Sequence, residues 1–207
     1  AFRNGVDIHA QTASEVFGVP LDQMDAETRR RSKAINFGIV YGISGFGLAR
    51  QLSIPQSEAR DYIATYLDRF PGIRTYMNDA REFAREHLYV ETLFGRRIHI
   101  EQIGASNQAM RGFSERQAIN APIQGSAADI IKRAMVCLPG ELSAQGLAAD
   151  MVLQVHDELI FEVPEKQAEQ SVQLIKSVME NAALPIVQLS VPLVVDAGIA
   201  DSWSEAH

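Results

Sequence analysis

The 207 residues predict an α+β fold, helical in the first half and mixed afterwards. Three observations carry this. Stretches of helical periodicity, punctuated by prolines and glycines, fill most of residues 7–87. Two runs rich in apolar and β-branched residues, 89–100 and 151–163, each bracket a polar or glycine-bearing centre, as hairpins do. Hydrophobic residues make up 46% of the chain, enough for a packed core.

The elements follow in order. Residues 7–17 (DIHAQTASEVF) read as a short helix, with Asp7 as N-cap, Gly18 just past its end and Pro20 preventing simple continuation. Residues 26–50 carry a longer helical pattern. Two more helices follow at 55–69 and 72–87, separated by Pro71-Gly72. YVETLFGRRIHI (89–100) reads as a hairpin around Phe94-Gly95-Arg96. Residues 106–121 and 126–138 read as helices with Pro122 interrupting between them. MVLQVHDELIFEV (151–163) reads as two paired, largely buried strands around a polar centre. An amphipathic helix is predicted over 165–183 and a last strand over 187–197 (VQLSVPLVVDA). There is no internal repeat and no low-complexity linker. A soft boundary near residue 108 separates the helical part from the mixed part.

Composition narrows the function classes. No apolar run approaches the roughly 20 residues of a membrane span. The start, AFRNGVDIH, lacks the basic lead and apolar core of a signal peptide. The single cysteine, Cys137, cannot form an internal disulfide, which fits a reducing cytoplasm. The net charge of −7 argues against nucleic acid until its distribution is read. Residues 1–133 hold 17 Lys+Arg against 15 Asp+Glu, and residues 134–207 hold 2 against 11. Most of the cations are Arg, whose planar fork suits phosphate. The acidic tail would repel DNA unless cations bind there.

Within residues 28–50, Arg29, Lys33, Phe37 and Tyr41 recur every four positions. On an α-helix that spacing keeps all four on one gently spiralling face. Two cations followed by two rings suit a nucleoside triphosphate, with the cations on phosphate and the rings against sugar and base. The same spacing also fits an amphipathic helix whose rings enter a core while Arg and Lys stay wet. Gly38, Gly42, Gly45 and Gly47 fit a close backbone approach to a ligand or a hinge.

Between the strands of 151–163 lie His156, Asp157 and Glu158. A hairpin tip is a rigid mount for carboxylates, and hard cations such as Mg²⁺ take oxygen ligands. A turn also needs polar residues for its own sake. In ERQAINAPIQGSAAD, Arg116, Asn120 and Gln124 recur every four positions. Side-chain amides can bond minor-groove acceptors, which encode sequence poorly and so suit an enzyme that checks base-pair shape. From spacing alone, helix capping or internal polar satisfaction is the simpler account.

Taken together these segments resemble the family A DNA polymerases, essentially from DIH to the closing ADSWSEAH. RRRSKAINFGIVYG looks like motif B, the mobile helix of the fingers subdomain. The resemblance sets Arg29 and Lys33 on the incoming triphosphate, Phe37 against the nucleotide sugar and Tyr41 beside the templating base. Phe37 stands where some relatives carry Tyr, which implies stronger discrimination against sugars lacking the 3′-hydroxyl. DIH at its distance from motif B makes His9 a further triphosphate contact. VHDE looks like motif C, which makes Asp157 the metal-binding catalytic carboxylate and Glu158 a secondary acid, with His156 near the primer end. INAPIQGSAAD is similar to the region that contacts primer and template, which implicates Arg116, Asn120 and Gln124.

The resemblance further implies helical fingers with a small hairpin over 1–108, then the C-terminal part of a palm over 109–207, with an antiparallel sheet and packed helices. The implied reaction is template-directed addition of a deoxynucleotide from a dNTP to a primer 3′-hydroxyl, with release of pyrophosphate. Two Mg²⁺ ions would bridge two aspartates and the triphosphate. The first of those aspartates belongs to motif A (a DYSQIELR-like segment), expected a few tens of residues before DIH and absent from these 207. The chain alone is therefore expected to be inactive. Its expected partners are primer-template DNA, dNTP and the thumb and motif A parts of the same polymerase, in a monomeric cytoplasmic enzyme with no membrane contact. A non-catalytic DNA- or nucleotide-binding module is the first alternative. A single-subunit RNA polymerase shares a similar fingers helix, although VHDE and INAPIQGSAAD fit the DNA enzymes better. A helical protein with a merely structural hairpin is the last.

Overall fold

A computed structural model of the chain describes residues 7–18, 20 and 23–206. It divides into two compact units, Ala1–Ile123 and Gln124–His207.

The first unit is mainly helical. Helix α1 (Ile8–Phe17) starts at Asp7, whose side chain accepts from the backbone N–H groups of His9 and Ala10, and stops at Gly18 with φ 68°. Those are the cap and stop the sequence predicts. The long pattern over 26–50 is two helices, α2 (Ala26–Val40) and α3 (Gly45–Leu52). Gly42 at φ 75° turns the chain between them, and a Cβ there would lie 3.1 Å from Cδ1 of Ile119. Ser44 then caps α3 by accepting from Gly47 N–H. Helices α4 (Gln56–Arg69) and α5 (Pro71–His87) match the sequence reading closely. Strands β1 (Tyr89–Glu91) and β2 (Arg97–His99) pair antiparallel, Val90 opposite Ile98, as the small predicted hairpin.

Two apolar clusters hold this unit. Ile35 and Ile39 of α2 meet Leu48 and Ala49 of α3 and Ala59 and Tyr66 of α4. Ala84, Val90, Ile100, Ile103 and Ala118 form the second. Each fully buried aliphatic side chain contributes about 1.5–3 kcal/mol to such a core.

Pro122 does not interrupt: α6 runs unbroken over Gln108–Ala144. A proline removes one i→i−4 bond and crowds the preceding turn. Packing outweighs that local loss, since Ala118 and Ile119 are fully buried on the N-terminal side. The Tyr76 hydroxyl also donates to the Ile119 carbonyl at 2.7 Å. Burial pushes the Tyr76 phenol up to about 12, so it stays a donor at neutral pH. The sequence boundary near 108 falls at the start of this helix, and the division between units falls within it.

In the second unit, Ala134, Leu138 and Leu142 of α6 pack with Leu147, Ile175 and Ala182. Ile175 comes from α7 (Ala168–Glu180), preceded by a 3₁₀ turn at Glu165–Gln167, so the predicted helix over 165–183 holds in its central part. Strands β3 (Asp150–Val155) and β4 (Glu158–Glu162) pair antiparallel with a register shift between Met151 and Leu153. The prediction of two buried strands fails for β3: Val152 is 50% and Leu153 47% exposed. The shift disturbs the alternation, and among the described residues the sheet has two strands only. The last predicted strand, 187–197, is irregular. Alternation alone makes no strand without a ladder, and among the described residues no strand pairs with it. Pro192 also lacks an N–H to give, and Val195 N–H is taken by the Glu180 carboxylate at 3.1 Å. A four-residue helix, α8 (Trp203–Ala206), ends the described chain.

Candidate functional site

Helix α2 has two unlike faces. Ser32, Ile35, Asn36 and Ile39 are buried, while Arg29, Lys33 and Phe37 are exposed. Phe37 is 44% exposed, so it does not enter the core as an amphipathic helix would require. Its ring stacks on Tyr41 with centroids 6.1 Å apart, and Lys33 Nζ lies 6.0 Å from the Phe37 centroid. From α1, the His9 ring meets Phe37 at 5.5 Å.

Asp7 ties the two helices together. One carboxylate oxygen caps α1 by accepting from His9 N–H (2.9 Å) and Ala10 N–H (3.2 Å). The other accepts from Arg29 Nε at 2.7 Å. The Arg29 hydrogen bond, helped by the two backbone donors and opposed by burial, holds the Asp7 carboxyl below its usual range. His9 is held below the usual imidazole value, chiefly by burial. Asp7 opposes that shift, and Arg29 and Lys33 add to it. Asn36 Nδ2 reaches His9 Nδ1 at 3.0 Å.

The five residues that the sequence nominates on α1 and α2 thus form one strip: His9, Arg29, Lys33, Phe37 and Tyr41. Two residues that hold it escape sequence reasoning. Asp7 is legible as a cap but not as the partner of Arg29, because the pairing spans two helices. Asn36 leaves one signal, an amide on the apolar face of α2.

Of the glycines, Gly42 owes its place to a positive φ and to Ile119, and a Cβ on Gly47 would lie 2.9 Å from Ile43 Cγ1. Internal packing accounts for both without a ligand. Beside Gly42, Asn120 Nδ2 donates to the Tyr41 carbonyl at 3.3 Å. The Arg116 guanidinium lies 6.0 Å from the Phe113 ring, and Arg116 is exposed. So Arg116 and Asn120 are brought to the C-terminal end of α2. Gln124, also exposed, opens the second unit.

In that second unit, Val155 pairs with Glu158, which leaves His156-Asp157 as a two-residue turn. His156 has φ 54°, the left-handed region usually given to Gly in such turns. Holding a non-glycine residue there costs about 1 kcal/mol. Gln154 Nε2 donates to the His156 carbonyl at 3.2 Å and braces the tip. Asp157 is exposed, and among the described residues it makes no ion pair or hydrogen bond. Glu158 is half-buried beside it. Among the described residues no three His, Cys, Asp or Glu are grouped to hold a metal ion. One free carboxylate with a second acid beside it still fits a hard cation that takes part of its oxygen shell from phosphate. No described helix is long and apolar enough to cross a membrane.

Comparison with known proteins gives a consistent result. The family model of DNA polymerase family A matches residues 1–205. DNA polymerase I of Rhizobium leguminosarum is 60% identical over 209 residues, covering 100% of this chain and 21% of that protein. DNA polymerase I of Pseudomonas aeruginosa is 51% identical over 207 residues, covering 100% of the chain and 22% of that protein. Among solved structures, the POL domain of Pol1 from M. smegmatis, in complex with DNA primer-template and dNTP, superposes with a TM-score of 0.93 at 45% identity. It covers 100% of this chain, which spans 36% of that one. The chain thus spans about a fifth of the length of the DNA polymerase I relatives it matches.

Proposed function

Because the chain belongs to DNA polymerase family A, we propose that it is the nucleotide-binding part of a template-directed DNA polymerase, with fingers over 1–108 and part of the palm over 109–207. The exposed Phe37, on one face with Arg29 and Lys33, carries this reading. A purely structural helix would bury that ring.

Each residue then has a task. Arg29 and Lys33 hold the triphosphate and offset charge that develops on it. His9 adds a third phosphate contact. Phe37 packs on the sugar, where it disfavours nucleotides lacking the 3′-hydroxyl, and Tyr41 lies beside the templating base. Arg116, Asn120, Gln124 and His156 contact primer and template. Asn120 already gives an amide N–H to the Tyr41 carbonyl and its oxygen is buried, so its second N–H is what remains for DNA. Asp157, with Glu158 close by, is the carboxylate that would hold Mg²⁺. Magnesium there supplies Lewis-acid stabilisation of the phosphoryl oxygens and a more acidic primer hydroxyl. A second aspartate elsewhere in the polymerase completes the site, so the 207-residue chain alone gives no primer extension. The polymerase acts in the cytoplasm as a monomer.

The test is steady-state incorporation of one nucleotide by the intact polymerase. Arg29→Ala and Lys33→Ala each raise the dNTP KM about tenfold or more. Unchanged KM in both variants would return α2 to a structural role.

A further inference from the structure

We propose that Asn36 is a positioning residue for His9, fixing its ring as the neutral tautomer that offers Nε2–H to the triphosphate. The link to the triphosphate rests on the function proposed above; the tautomer does not.

Asn36 is 5% exposed, on the buried face of α2. Its Nδ2 lies 3.0 Å from His9 Nδ1 and 3.5 Å from the Ile8 carbonyl oxygen. A carbonyl oxygen only accepts, so the amide edge that faces it must be the NH₂. The flipped amide would set two oxygens against each other. An NH₂ cannot accept, so His9 Nδ1 must. An imidazolium carries N–H on both nitrogens and offers no acceptor there. His9 is therefore neutral, with its proton on Nε2.

Two further observations point the same way. The Asn36 Oδ1 is buried and, among the described residues, makes no hydrogen bond. A buried orphan oxygen is unfavourable, and an apolar residue would serve the core without it. What the amide adds is its pair of N–H contacts to Ile8 and His9. The charged groups facing His9 are Asp7 at the start of α1 and Arg29 and Lys33 on α2. Burial and the two cations favour the neutral ring, against Asp7. With those cations already beside it, a neutral donor gives direction to a phosphate contact without a third positive charge.

The first test needs no substitution. Ring ¹⁵N shifts of the histidines are recorded in the intact polymerase at about pH 8, where an ordinary imidazole is neutral, with His9 assigned by its loss in His9→Gln. The Nε2–H pattern is expected; an Nδ1–H pattern or an imidazolium overturns the proposal. In Asn36→Asp the new carboxylate needs a donor, so His9 titrates at higher pH and Nδ1 becomes protonated. An unmoved titration overturns it. In single-nucleotide incorporation, Asn36→Ala and His9→Ala each raise the dNTP KM about tenfold, with kcat nearly unchanged. The double variant is no worse than either alone, and additive penalties overturn the proposal. If His9→Ala leaves KM unchanged, the triphosphate role falls, while the tautomer in the unsubstituted protein still decides what Asn36 does.

Discussion

Along α1 and α2 the groups offered to solvent are held by other side chains: Asp7 grips Arg29, Asn36 grips His9 and Phe37 stacks on Tyr41. At the β3–β4 tip, Asp157 is placed by backbone, through a two-residue turn with His156 at φ 54°. The difference matches the tasks proposed. A flexible triphosphate needs several donors set at fixed angles, and these need neighbours to fix them. A cation takes one carboxylate and draws its remaining ligands from elsewhere. The first region is therefore organised within this chain. On the function proposed, the second takes a further carboxylate from elsewhere in the polymerase, and its tip is set by the turn backbone.

The largest effect expected breaks the comparison at its simpler end. Asp157→Ala in the intact polymerase lowers primer extension by about 10³-fold or more, because it removes the carboxylate proposed to hold the metal. Its melting temperature stays close to the unsubstituted value, as an exposed turn residue without partners predicts. Measurable synthesis at near-normal rate would remove Asp157 from the metal site. Next comes Lys33→Ala, with nucleotide incorporation reduced about 10- to 100-fold in kcat/KM. Here loss of cation–π contact with Phe37 adds little to stability, so activity and melting temperature separate again.

Smaller effects probe the scaffolds. Gly42→Ala is expected to destabilise the chain by about 1–3 kcal/mol in a denaturant titration, from its positive φ and the contact with Ile119. His156→Val should cost about 1–2 kcal/mol, since a β-branched residue tolerates the left-handed region poorly, while His156→Gly should be nearly neutral. If both behave alike, the tip is not set by that dihedral. The smallest effect concerns Glu15, which the Arg69 guanidinium holds below the usual carboxylate range through bonds of 2.6 and 3.0 Å. The sign follows from the lowered value. The stabilisation is complete above the ordinary glutamate value of about 4.3 and is lost as pH falls through the lower folded value. Because the pair is largely solvated, Glu15→Gln should change stability by about 0.5 kcal/mol or less, and only above that range.

Local signals were legible. Asp7 and Gly18 bound α1 as caps do, and the turn at 156–157 sits where polar residues divide two apolar runs. The strip on α2 was legible from its spacing of four. The exposure of Phe37, which favours the nucleotide reading proposed, is something periodicity cannot supply. Pro122 misled because its local cost is visible in sequence while the packing of Ile119 and the Tyr76 hydrogen bond are not. The strand over 187–197 misled in the opposite way, since its alternation is local but a ladder requires a neighbour. Asn36 stayed hidden because its role depends on which atoms of α1 lie against it.

The division at 123/124 also separates the chromophores. All five tyrosines, Tyr41, Tyr62, Tyr66, Tyr76 and Tyr89, belong to the first unit, and the single tryptophan, Trp203, belongs to the second. Tryptophan emission therefore reports on the second unit, and tyrosine absorbance, once the overlapping tryptophan contribution is subtracted, on the first. Melting curves recorded at the two wavelengths would coincide if the halves unfold as one cooperative body and part company if each has a transition of its own.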